Sequence, residues 1–139
     1  AVPRLLDMGI EPFLLAATLV AVVAQRLVRQ VCEGCGEPVT PDAAQVEQLG
    51  LSAAALQDAT PRVGRGCGLC RQTGYRGRLA VFEYRGVDAT MKRLIAERRD
   101  VAELERAARE AGQTFLRQDA LTKFRDGRTT LSEVRRVVT

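Results

Sequence analysis

Four cysteines, Cys32, Cys35, Cys67 and Cys70, fall in two C-x-x-C pairs, CEGC and CGLC, separated by residues 36–66. A C-x-x-C turn directs two sulfurs at one centre. Two such turns supply the four thiolates that tetrahedral zinc takes in a closed structural site. The chain contains no histidine, so mixed Cys/His sites are excluded. Gly34, Gly36, Gly66 and Gly68 crowd the pairs, as expected where backbone wraps tightly around a metal. The spacing therefore predicts a structural Zn²⁺ held by Cys32, Cys35, Cys67 and Cys70. The interval between the pairs exceeds the usual four-cysteine spacing, so the loop must hold structure of its own. Reduced core cysteines or two disulfides are the competing readings. Core cysteines would follow helix or strand periodicity, which these do not. Disulfides need an oxidising compartment, and nothing here resembles a secretory signal peptide. A thioredoxin-like redox pair would leave the second C-x-x-C unexplained.

The 139 residues suit one domain, or the end piece of a larger chain. Hydrophobic content of 46% suffices for a core, although aromatics are only 4% and Trp is absent. Nineteen of the 21 basic residues are Arg, and the net charge of +4 is modest because acids are interspersed in the last third. That mixture reads as a solvated surface. One stretch departs from it: residues 59–82 contain no acid, while Arg62, Arg65, Arg71, Arg76 and Arg78 surround the second pair. Guanidinium groups there would offset the formal double negative charge of a zinc tetrathiolate, or bind phosphate.

The elements that must position the cysteines follow from periodicity and punctuation. Residues 4–8 read as the end of a helix stopped by Gly9, and Glu11-Pro12 opens another over FLLAATL. The apolar run 13–24 is 12 residues long. A membrane-spanning helix needs roughly 20, so the run reads as a core segment. AVVAQRLVRQV, residues 21–31, reads as a strand delivering Cys32, with residues 79–85 as its partner. Both strands carry apolar residues on both faces, so both faces are expected to be covered. Within the loop, Thr40 caps a helix with Pro41 at its first position, and Ser52 caps a second over AAALQD. Asp88 caps a helix carrying Met91, Leu94 and Ile95. Asp100 with Glu103 forms a capping box for a helix ended by Gly112. Leu116, Ala120, Leu121 and Phe124 mark a further helix ended by Gly127. Thr130 with Glu133 opens a last one carrying Val134, Val137 and Val138. These apolar stripes are core by pattern, and the helical end is expected to survive loss of the metal better than the loop.

Three stretches, MGIEPFLLAATLVAVVAQRLVRQVC, CGLCRQTGYRGRLAVFEYRGVD and LRQDALTKFRDGRTTLSEVRRV, follow in one order. Together they resemble the C-terminal part of the assembly ATPases of type II secretion and type IV pilus systems, with TGYRGRLAVFE after a C-x-x-C the most specific piece. The resemblance implies an α+β fold: a short antiparallel strand pair with a tetracysteine zinc-binding loop insert and a C-terminal helical bundle, the tail of a RecA-like ATPase domain. It implies four parts. Residues 1–31 end the RecA-like core, 32–77 form the zinc-binding subdomain, 78–87 return to the core, and 88–139 form a helical subdomain. Where the family often has Pro after the first Cys, this chain has Glu33. No G-x-x-x-x-G-K-[ST] phosphate loop occurs, so ATP and Mg²⁺ are expected only in a longer parent, and this fragment alone should not hydrolyse ATP.

Two functions follow. The first is the zinc-stapled portion of a hexameric secretion or pilus assembly ATPase. Its partners would be an inner-membrane platform and cytoplasmic adaptor proteins, its setting the cytoplasmic side of the bacterial inner membrane, with no span of its own. Arg76 and Arg78 are its candidate partner or subunit contacts; packing beside the zinc loop is their alternative role. The second is a free-standing zinc ribbon binding nucleic acid through the arginines between 62 and 78. Only Tyr75 lies there to stack on a base, which disfavours single strands.

Overall fold

The computed structural model of the chain describes residues 1–48 and 56–138. Among them it has seven α-helices and two two-stranded sheets, an α+β arrangement. The backbone falls into two compact units, residues 1–24 with 83–115, and residues 25–82 with 116–139.

The first unit is built on helices. Helix α1 (Val2–Asp7) starts with Pro3 in its first turn and ends at Met8. Gly9 follows at φ +85°, the left-handed stop its residue type predicts. Helix α2 (Pro12–Thr18) begins at the expected Pro12. The 13–24 run, expected as core, is largely exposed: Phe13 at 63%, Val20 at 79% and Val23 at 59%. The reason is geometric. A seven-residue helix can turn only one face inward, and α2 turns Leu15 and Ala16. Those two pack with Met91, Leu94, Ile95, Leu104 and Ala108 into one apolar cluster. Helix α4 (Ala89–Ala96) supplies the stripe read from its sequence, and the Asp88 carboxylate caps it by accepting the Met91 N–H at 2.8 Å. Helix α5 (Val101–Glu110) is capped likewise, Asp100 accepting from the Glu103 N–H at 2.8 Å, and is followed by Gly112 at φ +66°. Phe115 lies between the Arg85 and Arg109 guanidiniums, 4.4 and 4.5 Å from its ring centre.

The long strands β1 (Ala21–Val31) and β4 (Tyr75–Gly86) pair with each other. Val87 donates to the Val20 carbonyl at one end, and Cys32 donates to the Gly74 carbonyl at the other. The pair is therefore antiparallel. β1 has the bounds read from its sequence, whereas β4 begins at Tyr75, four residues before the expected start. Arg76, Gly77 (φ +84°) and Arg78 interrupt the apolar alternation there and conceal the strand's beginning. The expected cover over both faces is also incomplete, since Leu27 and Phe82 are 41% and 44% exposed.

In the second unit Val28 and Val81 meet Val46, Ala120, Phe124, Leu131 and Val134 in a second apolar cluster. Helices α6 (Leu116–Arg125) and α7 (Leu131–Val138) pack on each other and supply most of it. The loop between the cysteine pairs holds a feature the sequence did not suggest, a small antiparallel sheet. Strand β2 (Gly36–Pro38) faces β3 (Arg62–Gly64) with Glu37 opposite Val63. Helix α3 (Ala43–Gln48) is capped by Asp42 rather than by Thr40. The Asp42 carboxylate accepts the Ala44 N–H at 2.9 Å while its carbonyl takes the Val46 N–H at 3.0 Å. The helix starts at Ala43, which makes Asp42 the residue before it, where a carboxylate reaches the N–H groups of the first turn. The helix expected after Ser52 lies outside the described residues. No helix among the described residues is long and apolar enough to cross a membrane.

Candidate metal centre

Each cysteine is placed by a different local device. Cys32 directly follows β1, and its N–H donates to the Gly74 carbonyl at 3.0 Å. Cys35 closes a turn back onto the Cys32 carbonyl, and its own carbonyl accepts the Arg65 N–H at 3.0 Å. The β2–β3 ladder thus brings the second pair beside the first. Cys67 and Cys70 bracket a single 3-10 turn (Gly68–Cys70), after which Arg71 and Gln72 take left-handed φ angles of 51° and 65°. Gly64 and Gly74 cross where a Cβ on either would overlap the other's carbonyl, so both positions require glycine.

All four sulfurs converge within 4.8 Å of one another, and all four cysteines are free. Sγ–Sγ separations are 3.8 Å for Cys32–Cys67, and 3.7 Å for Cys35–Cys70 and Cys67–Cys70. A disulfide needs about 2.05 Å. A regular tetrahedron with edges of 3.7–3.8 Å has its centre about 2.3 Å from each vertex, the zinc–thiolate bond length. The donor set therefore fits a tetrahedral Zn²⁺.

Backbone N–H groups surround the sulfurs. Gly66 donates to the Cys35 sulfur at 3.3 Å, and Cys67 and Gly74 donate to the Cys70 sulfur at 3.2 and 3.3 Å. These contacts distribute charge unevenly. Desolvation, aided by the neighbouring sulfurs and opposed by the Gly66 N–H, pushes the Cys35 thiol up to about 12. At Cys70 desolvation acts in the same sense, but the Cys67 and Gly74 N–H groups outweigh it and hold the thiol down at about 6. Cys70 is thus better prepared than Cys35 to meet a cation as thiolate.

The arginines expected near the sulfurs serve other ends. Arg62 donates to the Gly36 carbonyl at 2.6 Å, bracing β2, and Arg65 pairs with Glu37 at 2.7 Å. Arg71, Arg76 and Arg78 are exposed and form no ion pair among the described residues. Sequence reasoning missed the neck of the loop. Thr130 caps the last helix as read, its hydroxyl accepting the Glu133 N–H at 3.4 Å, but the Glu133 carboxylate turns elsewhere: it is buried, its side chain 1% exposed. It accepts the Arg29 N–H at 2.7 Å and the Arg29 and Arg136 guanidiniums at 2.9 Å each. Desolvation opposes its ionisation, yet Arg136 and Arg29 overcome that and hold the carboxyl at about 2. The Arg29 guanidinium also stacks over the Tyr75 ring at 4.1 Å, and the Tyr75 hydroxyl meets that of Thr130 at 2.9 Å. Only an unpaired Arg in a Val-rich strand hinted at this cluster.

The family described as type II/IV secretion system protein matches residues 1–136. The type IV pilus assembly ATPase PilB of Thermus thermophilus is 44% identical over 134 residues, which are 96% of this chain and 15% of that protein. The type II secretion system protein E of Pseudomonas aeruginosa is 44% identical over 99% of this chain and 27% of its own length. The type II secretion system ATPase E of Vibrio cholerae is 41% identical, again over 99% and 27%. The chain thus spans between about a seventh and about a quarter of the length of these relatives.

Proposed function

The chain belongs to the type II/IV secretion system protein family, and from that premise we propose that it is the zinc-stapled C-terminal portion of a hexameric secretion or pilus assembly ATPase. The observation that carries the reading is the convergence of the four sulfurs, set at the meeting ends of β1 and β4 in a chain 44% identical to a type IV pilus assembly ATPase and to a type II secretion system protein E. Cys32, Cys35, Cys67 and Cys70 would hold Zn²⁺. The ion would supply charge neutralisation and a cross-link between the loop's two ends, with no chemistry on substrate. In this reading residues 32–77 form the zinc-binding lobe, and the strands and helices on either side complete a RecA-like core.

The exposed apolar residues support that placement. Phe13, Leu14, Val20 and Val23 on the first unit, and Leu27 and Phe82 on the second, are a burden for a free-standing module. They are natural faces for a larger ATPase domain to cover. ATP and Mg²⁺ binding belong to the whole protein, as do contacts with an inner-membrane platform and cytoplasmic adaptors at the cytoplasmic face. Arg76 and Arg78, exposed and without acidic partners among the described residues, are the proposed subunit or partner contacts.

Elemental analysis of the purified chain tests the metal, and a chimaera tests the assignment. The chain should carry one zinc with no reactive thiols, and Cys67→Ser should lose it. A Vibrio cholerae secretion ATPase carrying this chain in place of its matching segment should hydrolyse ATP and secrete. A folded, hexameric chimaera that fails in both would overturn the assignment.

A further inference from the structure

One short segment, residues 125–133, ties together every strand of backbone entering or leaving the metal loop. At the entrance, Val31 donates to the Arg128 carbonyl at 3.0 Å, and the Thr129 hydroxyl donates to the Arg29 carbonyl at 2.8 Å. The Glu133 carboxylate receives both the Arg29 N–H and its guanidinium. Midway, Thr60 donates to the Arg125 carbonyl at 2.8 Å, and Gly127, at φ +69°, lies so close to the Thr60 carbonyl and Arg62 that a Cβ would collide. At the exit, Tyr75 meets Thr130. Beyond the segment, Arg136 reaches the Leu27 carbonyl at 2.8 Å. Cys32 is one peptide away from Val31, and Tyr75 follows the Gly74 that serves both Cys32 and the Cys70 sulfur.

We infer that the α6–α7 connection is a latch through which metal occupancy sets the docking of α7. This rests on the zinc reading of the four cysteines. With the ion bound, Val31, Thr60 and Tyr75 hold fixed positions, and the segment 125–133 finds its donors and acceptors in place. With the ion removed, the second cysteine pair is left to the three-residue β2–β3 ladder and to backbone bonds such as the Arg65 N–H to the Cys35 carbonyl, a weaker hold on the first pair. Tyr75 and Arg29 lose their common frame, and the buried Glu133 carboxylate is left short of partners it cannot do without. The segment then releases α7, whose Leu131 and Val134 lie buried only while it is docked. On this inference α6 and α7 are coupled to the metal, while α4 and α5 belong to the other unit.

Coupling of this kind is reciprocal: whatever the metal contributes to α7, α7 contributes to metal affinity by the same factor. Amide hydrogen exchange of the whole chain, zinc-loaded and after treatment with EDTA, reads the first direction. α7 amides should exchange at least about tenfold faster without zinc, while α4 and α5 amides keep their rates. A competition titration with a chromogenic chelator reads the second. Glu133→Gln and the isosteric Thr129→Val, neither a ligand, should each weaken zinc binding by roughly 5- to 150-fold, the usual span of coupling between sites. A chain that takes up no zinc would overturn both the metal reading and the latch. A chain that takes up zinc, yet shows unchanged α7 exchange on its removal or wild-type affinity in both variants, would overturn the latch alone.

Discussion

The crossing of Gly64 and Gly74 offers the sharpest test of how the loop is closed. Gly74→Ala places a methyl group against the Gly64 carbonyl at a residue whose φ is +75°. The left-handed conformation alone costs an ordinary residue about 1–2 kcal/mol. Relieving the overlap must also move a peptide that accepts from the Cys32 N–H at 3.0 Å and donates to the Cys70 sulfur at 3.3 Å. Each weakened hydrogen bond adds about 1 kcal/mol. The sum, about 3–4 kcal/mol, is a large share of the 5–15 kcal/mol that holds a typical domain together. Urea denaturation of the zinc-loaded protein measures it, with Gly68→Ala as the companion variant. A Cβ at Gly68 meets no atom within 4 Å, so that change should stay within about 0.5 kcal/mol of the parent. A Gly74→Ala protein denaturing within about 1 kcal/mol of the parent would refute the reasoning, since the conformational penalty alone is about 1–2 kcal/mol.

The buried carboxylate gives the second unit a defined acid response. Glu133 is held at about 2 against an ordinary 4.5, so its stabilisation is complete above pH 4.5 and is lost as pH falls from there toward 2. A depression of that size corresponds to about 3 kcal/mol. The melting temperature of the parent should exceed that of Glu133→Gln at pH 6, and the gap should close by pH 2. In the core of the same unit, Phe124 is 2% exposed. Phe124→Ala should cost about 3–5 kcal/mol, read as a lowered urea midpoint with a largely unchanged slope.

What the sequence disclosed, and what it withheld, follow from the range of the signals involved. The two cysteine pairs that converge were legible because a C-x-x-C turn is a property of four consecutive residues. β1 was legible to the residue, since Val-rich alternation ends at a cysteine whose role is already assigned. The caps of α4 and α5 were equally local, each an Asp accepting from a backbone N–H three residues on. The β2–β3 sheet was invisible because three-residue strands such as GEP and RVG carry no period. Thr40 lost the cap to Asp42 by a competition between neighbours that propensity alone does not rank. Glu133 was misread for the opposite reason: its partner Arg29 lies 104 residues away, and the nearby Thr130 offered a plausible local explanation. The exposure of Phe13 and Val20 could not be read from apolar character, which says what a residue prefers and not whether a neighbour is there to cover it.

Because the Cys32 N–H bonds the Gly74 carbonyl, the two ends of the metal loop stand one rung apart on a single antiparallel ladder. Seen from β1 and β4, the whole lobe is therefore an enlarged hairpin turn. Such a join accepts additions and deletions without shifting strand register, because the strands meet at the same rung whatever lies between them. The lobe can consequently be lengthened without shifting the register of the sheet beneath it, whereas trimming it to a tight turn would take Val46 out of the second apolar cluster and break the Thr60–Arg125 tie.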